Sequence, residues 1–320
     1  MFAITAAILM VTSGLFAQLF GLNISYQLLL AMLMVGISVF LFVGKFKTLE
    51  GMMKYIILIL SLSTLIAVIL AFKPELPIVD PFNWSNVIDM AFLIAFVGWM
   101  PAPFDVTVWY STWTVAKQSN TSTKITMKSA IRDFNIGYIG TALLAAGFLS
   151  LGALVMYGSG KAFSSGGVAF AGQLIDMYVN SLGNWAFYII GIAAFTSMLS
   201  TSITVMDAYP RVLNPSFRLL RNINEKEKKS EEKSYILWMV FLIAGTLILI
   251  LWFSKSMKFM VDMATTISFV TAPVIAALNL AVVLKLPKMN RPNVFLRGFS
   301  WISLILLIFF SLYFLIWKFA

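Results

Sequence analysis

The chain has 320 residues, of which 60% are hydrophobic and 11% charged, with a formal net charge of +10 and a mean hydropathy of +0.92. Soluble domains run about 45–50% apolar and about 25% charged, so a soluble globular enzyme is excluded. With no Cys and no His, disulfide scaffolds, thiolate or imidazole metal sites, Cys nucleophiles and histidine acid–base chemistry are excluded as well.

Taken in chain order, nine runs are long and apolar enough to cross about 30 Å of hydrocarbon: roughly 2–20, 26–44, 53–72, 87–116, 134–157, 185–206, 235–253, 259–284 and 299–317. None alternates as an outer-membrane barrel strand does. The sequence therefore predicts an all-α, polytopic membrane bundle of about nine transmembrane helices, forming one transmembrane domain over 1–320. Alternate loops divide the 23 Lys and Arg into 18 on one side and 5 on the other. The richer side is expected to be cytoplasmic, which places the N-terminus inside, the C-terminus outside and the protein in the cell membrane. The positive charge then reflects topology and lipid headgroups, and nucleic acid is not an expected partner.

Two connections stand out. Residues 158–184 are expected as an external loop holding a short amphipathic helix with Phe170, Leu174, Met177 and Tyr178 on one face. Residues 207–234, with lysines and glutamates mixed, are expected as a charged cytoplasmic loop. Met1 opens directly into apolar sequence without a basic flank, which a signal peptide would have. Nine is also an awkward number for two equal repeats, so the expectation is that preceding helices are missing.

The fourth run is about 45 Å long at ~1.5 Å per residue, too long to cross without tilt or a break. Its centre reads Gly98-Trp99-Met100-Pro101-Ala102-Pro103-Phe104-Asp105. Each proline removes a donor and clashes with the carbonyl one turn upstream, here those of Val97 and Trp99. Two such prolines beside Gly98 predict an opened helix, the place where transporters bind ions through freed carbonyls; the alternative is a proline kink in an ordinary packed helix. The Met100 thioether can join the Val97 carbonyl in one ligand set, and soft sulfur favours Mn, Fe and other transition ions over Mg or Ca.

The Met100-Pro101 pair at a helix break, the tract Ser200-Thr201-Ser202-Ile203-Thr204 and the order of the spans resemble the Nramp family of divalent-metal transporters, most of all a divergent bacterial branch. The resemblance implies a LeuT-type inverted-repeat fold with an incomplete first repeat, the nine segments corresponding to the family's third through eleventh helices. It also implies a divalent metal ion as cargo rather than cofactor, uptake by alternating access, possible proton coupling, a monomer, and metal ligation by Met100 and Val97. The chain departs from the family where Ala102 and Pro103 replace a His and an Asn and where Thr107 stands near a second His. The family's Asp-Pro-Gly-Asn motif has no counterpart, and its metal-reaching Gln falls near Val270 or Thr271.

Asp105 offers three roles: an outer-shell carboxylate, a proton acceptor, or a cap for the restarted helix. Asp262 is expected either to pair with Lys258 or to join Thr266 and Thr271 in a polar pathway beside a break at Pro273. The Ser/Thr tract 196–204 is read as helix packing, with lining of a substrate path as the alternative; the glycines 137, 140, 147 and 152 are read as close helix-packing positions, and Arg132 with Asp133 as a helix-terminal pair. No nucleophile–base pair can be assembled in the spans, so catalysis is not expected. Two alternatives stay open: an amino-acid or other organic-solute symporter of the same fold, and a non-transporting fragment.

Overall fold

A computed structural model describes residues 1–22, 24–43, 46–72, 82–84, 86–100, 102–119, 125–157, 164–220, 228–253 and 256–319. Among them the regular structure is entirely helical: α1 Phe2–Phe20, α2 Tyr26–Val43, α3 Phe46–Ala71, α4 Val87–Trp99, α5 Val106–Ser119, α6 Met127–Val155, α7 Gly167–Leu182, α8 Ala186–Leu220, α9 Lys228–Phe253, α10 Met257–Lys285, a 3-10 turn at Lys288–Asn290, and α11 Val294–Phe319. Among the described residues, six stretches are long and apolar enough to cross a bilayer: Phe2–Phe20, Met127–Val155, Ala186–Leu220, Lys233–Phe253, Met257–Lys285 and Val294–Trp317. Tyr26–Phe42, Tyr55–Ala71 and Val87–Trp99 are shorter apolar helices. The protein is a multi-pass helical membrane bundle.

The chain divides into two compact units, Met1–Pro81 with Ile139–Ala264, and Phe82–Tyr138 with Thr265–Ala320. In the first, α1 is buried along nearly its whole length and packs against α2, α7, α8 and α9. Polar groups inside it are matched to partners. Thr12 shares a hydrogen bond of 2.8 Å with Ser202 of α8, and Thr64 one of 2.9 Å with Tyr178 of α7. Within the Ser/Thr tract this makes Ser202 the helix-packing residue, while half-buried Thr196 and exposed Thr201 bond back to their own helix. Of the four glycines in α6, only Gly147 sits close to a neighbour, the Thr64 side chain; a Cβ at Gly137, Gly140 or Gly152 would meet open space among the described residues.

Two sequence expectations are corrected here. The helix within 158–184 exists as α7, but it is a core element. Gly167, Ala171, Gly172, Ile175, Met177 and Tyr178 are buried, while Phe170 and Leu174 are only half-buried. The small residues on that face permit close approach. Gly14 of α1 rests on the Gly167 backbone with no room for a side chain, and α7 packs among α1, α3 and α8. The segment 207–234 is likewise helical through Leu220 and again from Lys228. Its first charges are absorbed by the helix: Arg211 grips Asp207 through two hydrogen bonds of 2.8 Å. Tyr235 of α9 adds a third to the same carboxylate at 2.8 Å.

In the second unit, Met90, Ile94, Phe269 and Phe314 form the core, with Leu93, Val270 and Trp317 against it. Pro273 does not break α10, which runs through it. Proline has no N–H for the Phe269 carbonyl one turn back, and the buried Ser311 hydroxyl of α11 donates to that carbonyl instead, at 3.3 Å. Asp133 lies in the second turn of α6, which starts at Met127. There it accepts the Tyr110 hydroxyl at 3.2 Å and is no helix-terminal group.

Candidate functional site at the interrupted helix

Asn86 caps the start of α4 by accepting the Ile88 N–H at 2.9 Å. Asp89 in the first turn accepts the Asn83 N–H at 2.9 Å, a carboxylate at the positive end of the helix dipole. The helix then ends at Trp99, thirteen residues on. The Met100 N–H makes the last bond, to Phe96 at 2.8 Å, and Met100 itself is extended at φ −108°, ψ 133°. That is the conformation steric conflict with a following proline imposes. Pro101 lies outside the described residues; Ala102 and Pro103 are in neither helix.

Helical bonding resumes over a turn at Phe104 and Asp105. The Asp105 carbonyl takes the Val108 and Trp109 N–H groups at 3.0 and 3.1 Å, which puts Asp105 at the cap position of α5. The covalent chemistry of proline leaves the Val97 and Trp99 carbonyls without a donor four residues on. The interruption therefore gathers, within nine residues of sequence, two freed carbonyls, one thioether and one carboxylate.

Three contacts fix the interruption to α10. Gly98 is buried and lies against the Thr265 backbone carbonyl, where a Cβ would collide. The Trp99 indole N–H donates to the Ser268 hydroxyl at 3.0 Å. Beyond the break, the Asn279 amide donates to the Thr107 hydroxyl at 2.8 Å. Ser268 and Asn279 went unnoticed in the sequence, although a carboxamide in the apolar stretch 272–284 was a signal.

Not every predicted residue joins this set. Val97, Gly98, Met100, Pro103, Asp105 and Thr107 fall along the break. The exposed Thr271 hydroxyl returns to its own helix, at 2.8 Å from the Ile267 carbonyl and 3.3 Å from that of Ser268. Asp262 belongs to the other unit. It forms an ion pair with Lys258 at 3.3 Å, both side chains at least half exposed, so of the two roles expected for it the structure provides the pair. Among the described residues, no three of His, Cys, Asp and Glu gather into a metal-binding group. A cation at the break would depend on main-chain oxygen, sulfur and Asp105.

No protein-family model matches the chain. It is similar to an uncharacterized protein of Pasteurella multocida (strain Pm70), 37% identical over 264 residues, which cover 80% of this chain and 59% of that protein. The chain thus spans about three fifths of the length of the curated relative it matches.

Proposed function

We propose that this chain is a secondary-active transporter that takes a divalent transition-metal cation, of the Mn²⁺ or Fe²⁺ type, across the cell membrane by alternating access. Its N-terminus would be cytoplasmic and its helices would form nine spans in the LeuT-type inverted-repeat arrangement that the resemblance to Nramp implies. The observation that carries this reading is the end of α4 at Trp99, with Met100 extended and α5 starting only at Val106.

Open backbone at membrane depth is tolerated where it faces protein or a polar cavity, and transporters use such carbonyls as ion ligands. Carbonyl oxygen alone would suit hard ions such as Ca²⁺. The Met100 sulfur shifts the preference toward softer transition ions. Two neutral ligands do not offset the dehydration of a divalent ion in a medium of low dielectric, and the Asp105 carboxylate supplies the missing negative charge from the capping turn of α5. A further route for proton coupling would run through that same carboxylate.

Isothermal titration of the purified chain with Mn²⁺, Mg²⁺, Ca²⁺ and a panel of amino acids tests this. Saturable Mn²⁺ binding, absent with Mg²⁺ and Ca²⁺ and weakened about tenfold or more by Met100→Leu, is the expected result. A second reading, an organic solute at the same break, draws on the neutral hydrogen-bonding groups of Trp99, Ser268, Thr107 and Asn279 that flank it. Saturation by an amino acid and none by Mn²⁺ would select that reading.

A further inference from the structure

The two half-helices are held from one continuous neighbour. Ser268 takes the last residue of α4, Trp99, and Asn279 takes the second residue of α5, Thr107. The two anchors are three helical turns apart, about 16 Å along α10 at ~1.5 Å per residue, and so share one face. Of the two, the Asn279 contact has a fixed polarity. The Thr107 hydroxyl has one proton, and it goes to the Phe104 carbonyl at 2.6 Å. Toward Asn279 the same oxygen is therefore an acceptor, and the amide N–H donates at 2.8 Å. The result is a relay from amide to hydroxyl to the Phe104 carbonyl, which also takes the Thr107 N–H at 3.2 Å. That carbonyl belongs to the turn immediately before Asp105.

We infer that Asn279 is the positioning residue of the cargo site: through Thr107 it holds the Phe104–Asp105 turn, and with it the Asp105 carboxylate, in the geometry that receives the cation. The inference rests on the proposed reading of the break as a cation site. A carboxamide in an apolar helix has a desolvation cost that only a matched partner offsets. Here both of the partner's hydrogen-bonding capacities are used in one direction, toward the break. Chained hydrogen bonds of this kind also reinforce each other.

The test combines amide exchange with Mn²⁺ titration and uptake in proteoliposomes, using Asn279→Ala, Thr107→Val, their double variant, Thr107→Ser and Asn279→Asp in the full chain. Asn279→Ala and Thr107→Val should each speed exchange at the amides of 106–108 by about tenfold, and the double variant should add little more. Apparent affinity for Mn²⁺ should fall by about tenfold while the uptake rate at saturation is retained. Thr107→Ser keeps the hydroxyl and should restore both readouts. Asn279→Asp can only accept, so Thr107 must turn its proton away from Phe104, and exchange at 106–108 should rise although the side chains still bond. If Asn279→Ala lowers thermal stability but leaves exchange at 106–108 and Mn²⁺ affinity at wild-type values, Asn279 is mere helix packing and the inference is overturned. If exchange rises as expected but the wild-type chain binds no Mn²⁺, the relay stands and its role in holding a cation falls with the site.

Discussion

The chain carries Pro101 and Pro103 where α4 gives way to α5, whereas Pro273 sits inside α10, which continues from Met257 to Lys285. Pro273 and the break lie in the same unit, and both places lose backbone hydrogen bonds to proline. In α10 one carbonyl is freed, that of Phe269, and Ser311 from α11 fills the missing donor's place. At the end of α4 two carbonyls are freed within one turn, those of Val97 and Trp99, and Met100 has already turned to an extended conformation. α8 also runs on through Pro210 and Pro215, so the number of prolines does not decide the outcome. What sets the break apart is spacing: its prolines stand two residues apart beside Gly98, whereas Pro273 is alone in α10 and Pro210 and Pro215 are five residues apart in α8.

The largest effect should come from closing the break. Pro101→Ala with Pro103→Ala returns a donor to each freed carbonyl, and proline in a helix interior is disfavoured by about 3 kcal/mol relative to alanine. Mn²⁺ affinity should fall by about a hundredfold, the equivalent of roughly that energy, while amide exchange across 102–105 slows. Next in size is Gly98→Ala. The new methyl meets the Thr265 backbone carbonyl, which cannot swing aside as a side chain would, and overpacking of this kind costs about 1–3 kcal/mol. Thermal unfolding in detergent should show the loss directly.

A smaller effect sharpens the other side of the comparison. Ser311→Ala should cost about 1 kcal/mol by leaving the Phe269 carbonyl without a donor. In a Pro273→Ala background the helix supplies its own N–H, and the same substitution should cost almost nothing. A double-mutant cycle on thermal stability reads that coupling. The smallest effect belongs to Asp262→Asn. Its pair with Lys258 is exposed, and such pairs contribute about 0–1 kcal/mol, so metal uptake should change by less than about twofold.

Local chemistry made much of this legible in the sequence. The run 2–20 coincides with α1 because unbroken apolar sequence leaves helix as the one way to satisfy the backbone in lipid. Gly98-Trp99-Met100-Pro101-Ala102-Pro103 announced its own interruption, since proline acts on the turn beside it. Features that depend on distant partners were hidden. Asp207 and Arg211 read as the start of a solvated loop, yet their spacing of four lets them bond along one face of α8, and Tyr235 completes the carboxylate from another helix. The helix in 158–184 read as amphipathic from Phe170, Leu174, Met177 and Tyr178, whereas its approach to α1 runs through Gly167, set against Gly14. Thr271 promised a polar pathway, but its hydroxyl is satisfied one turn back within its own helix. Asn279 drew no notice because its meaning depends on Thr107, 172 positions away in the chain.

The identity of the atoms around a bound cation is the most direct measure of what the interruption does. X-ray absorption at the manganese edge of the Mn²⁺-loaded protein should show one sulfur among otherwise oxygen scatterers, and Met100→Leu, which keeps the side-chain volume, should remove it. A wild-type spectrum of oxygen alone, or a sulfur shell that survives Met100→Leu, would contradict a cation held by Met100 and the Val97 carbonyl.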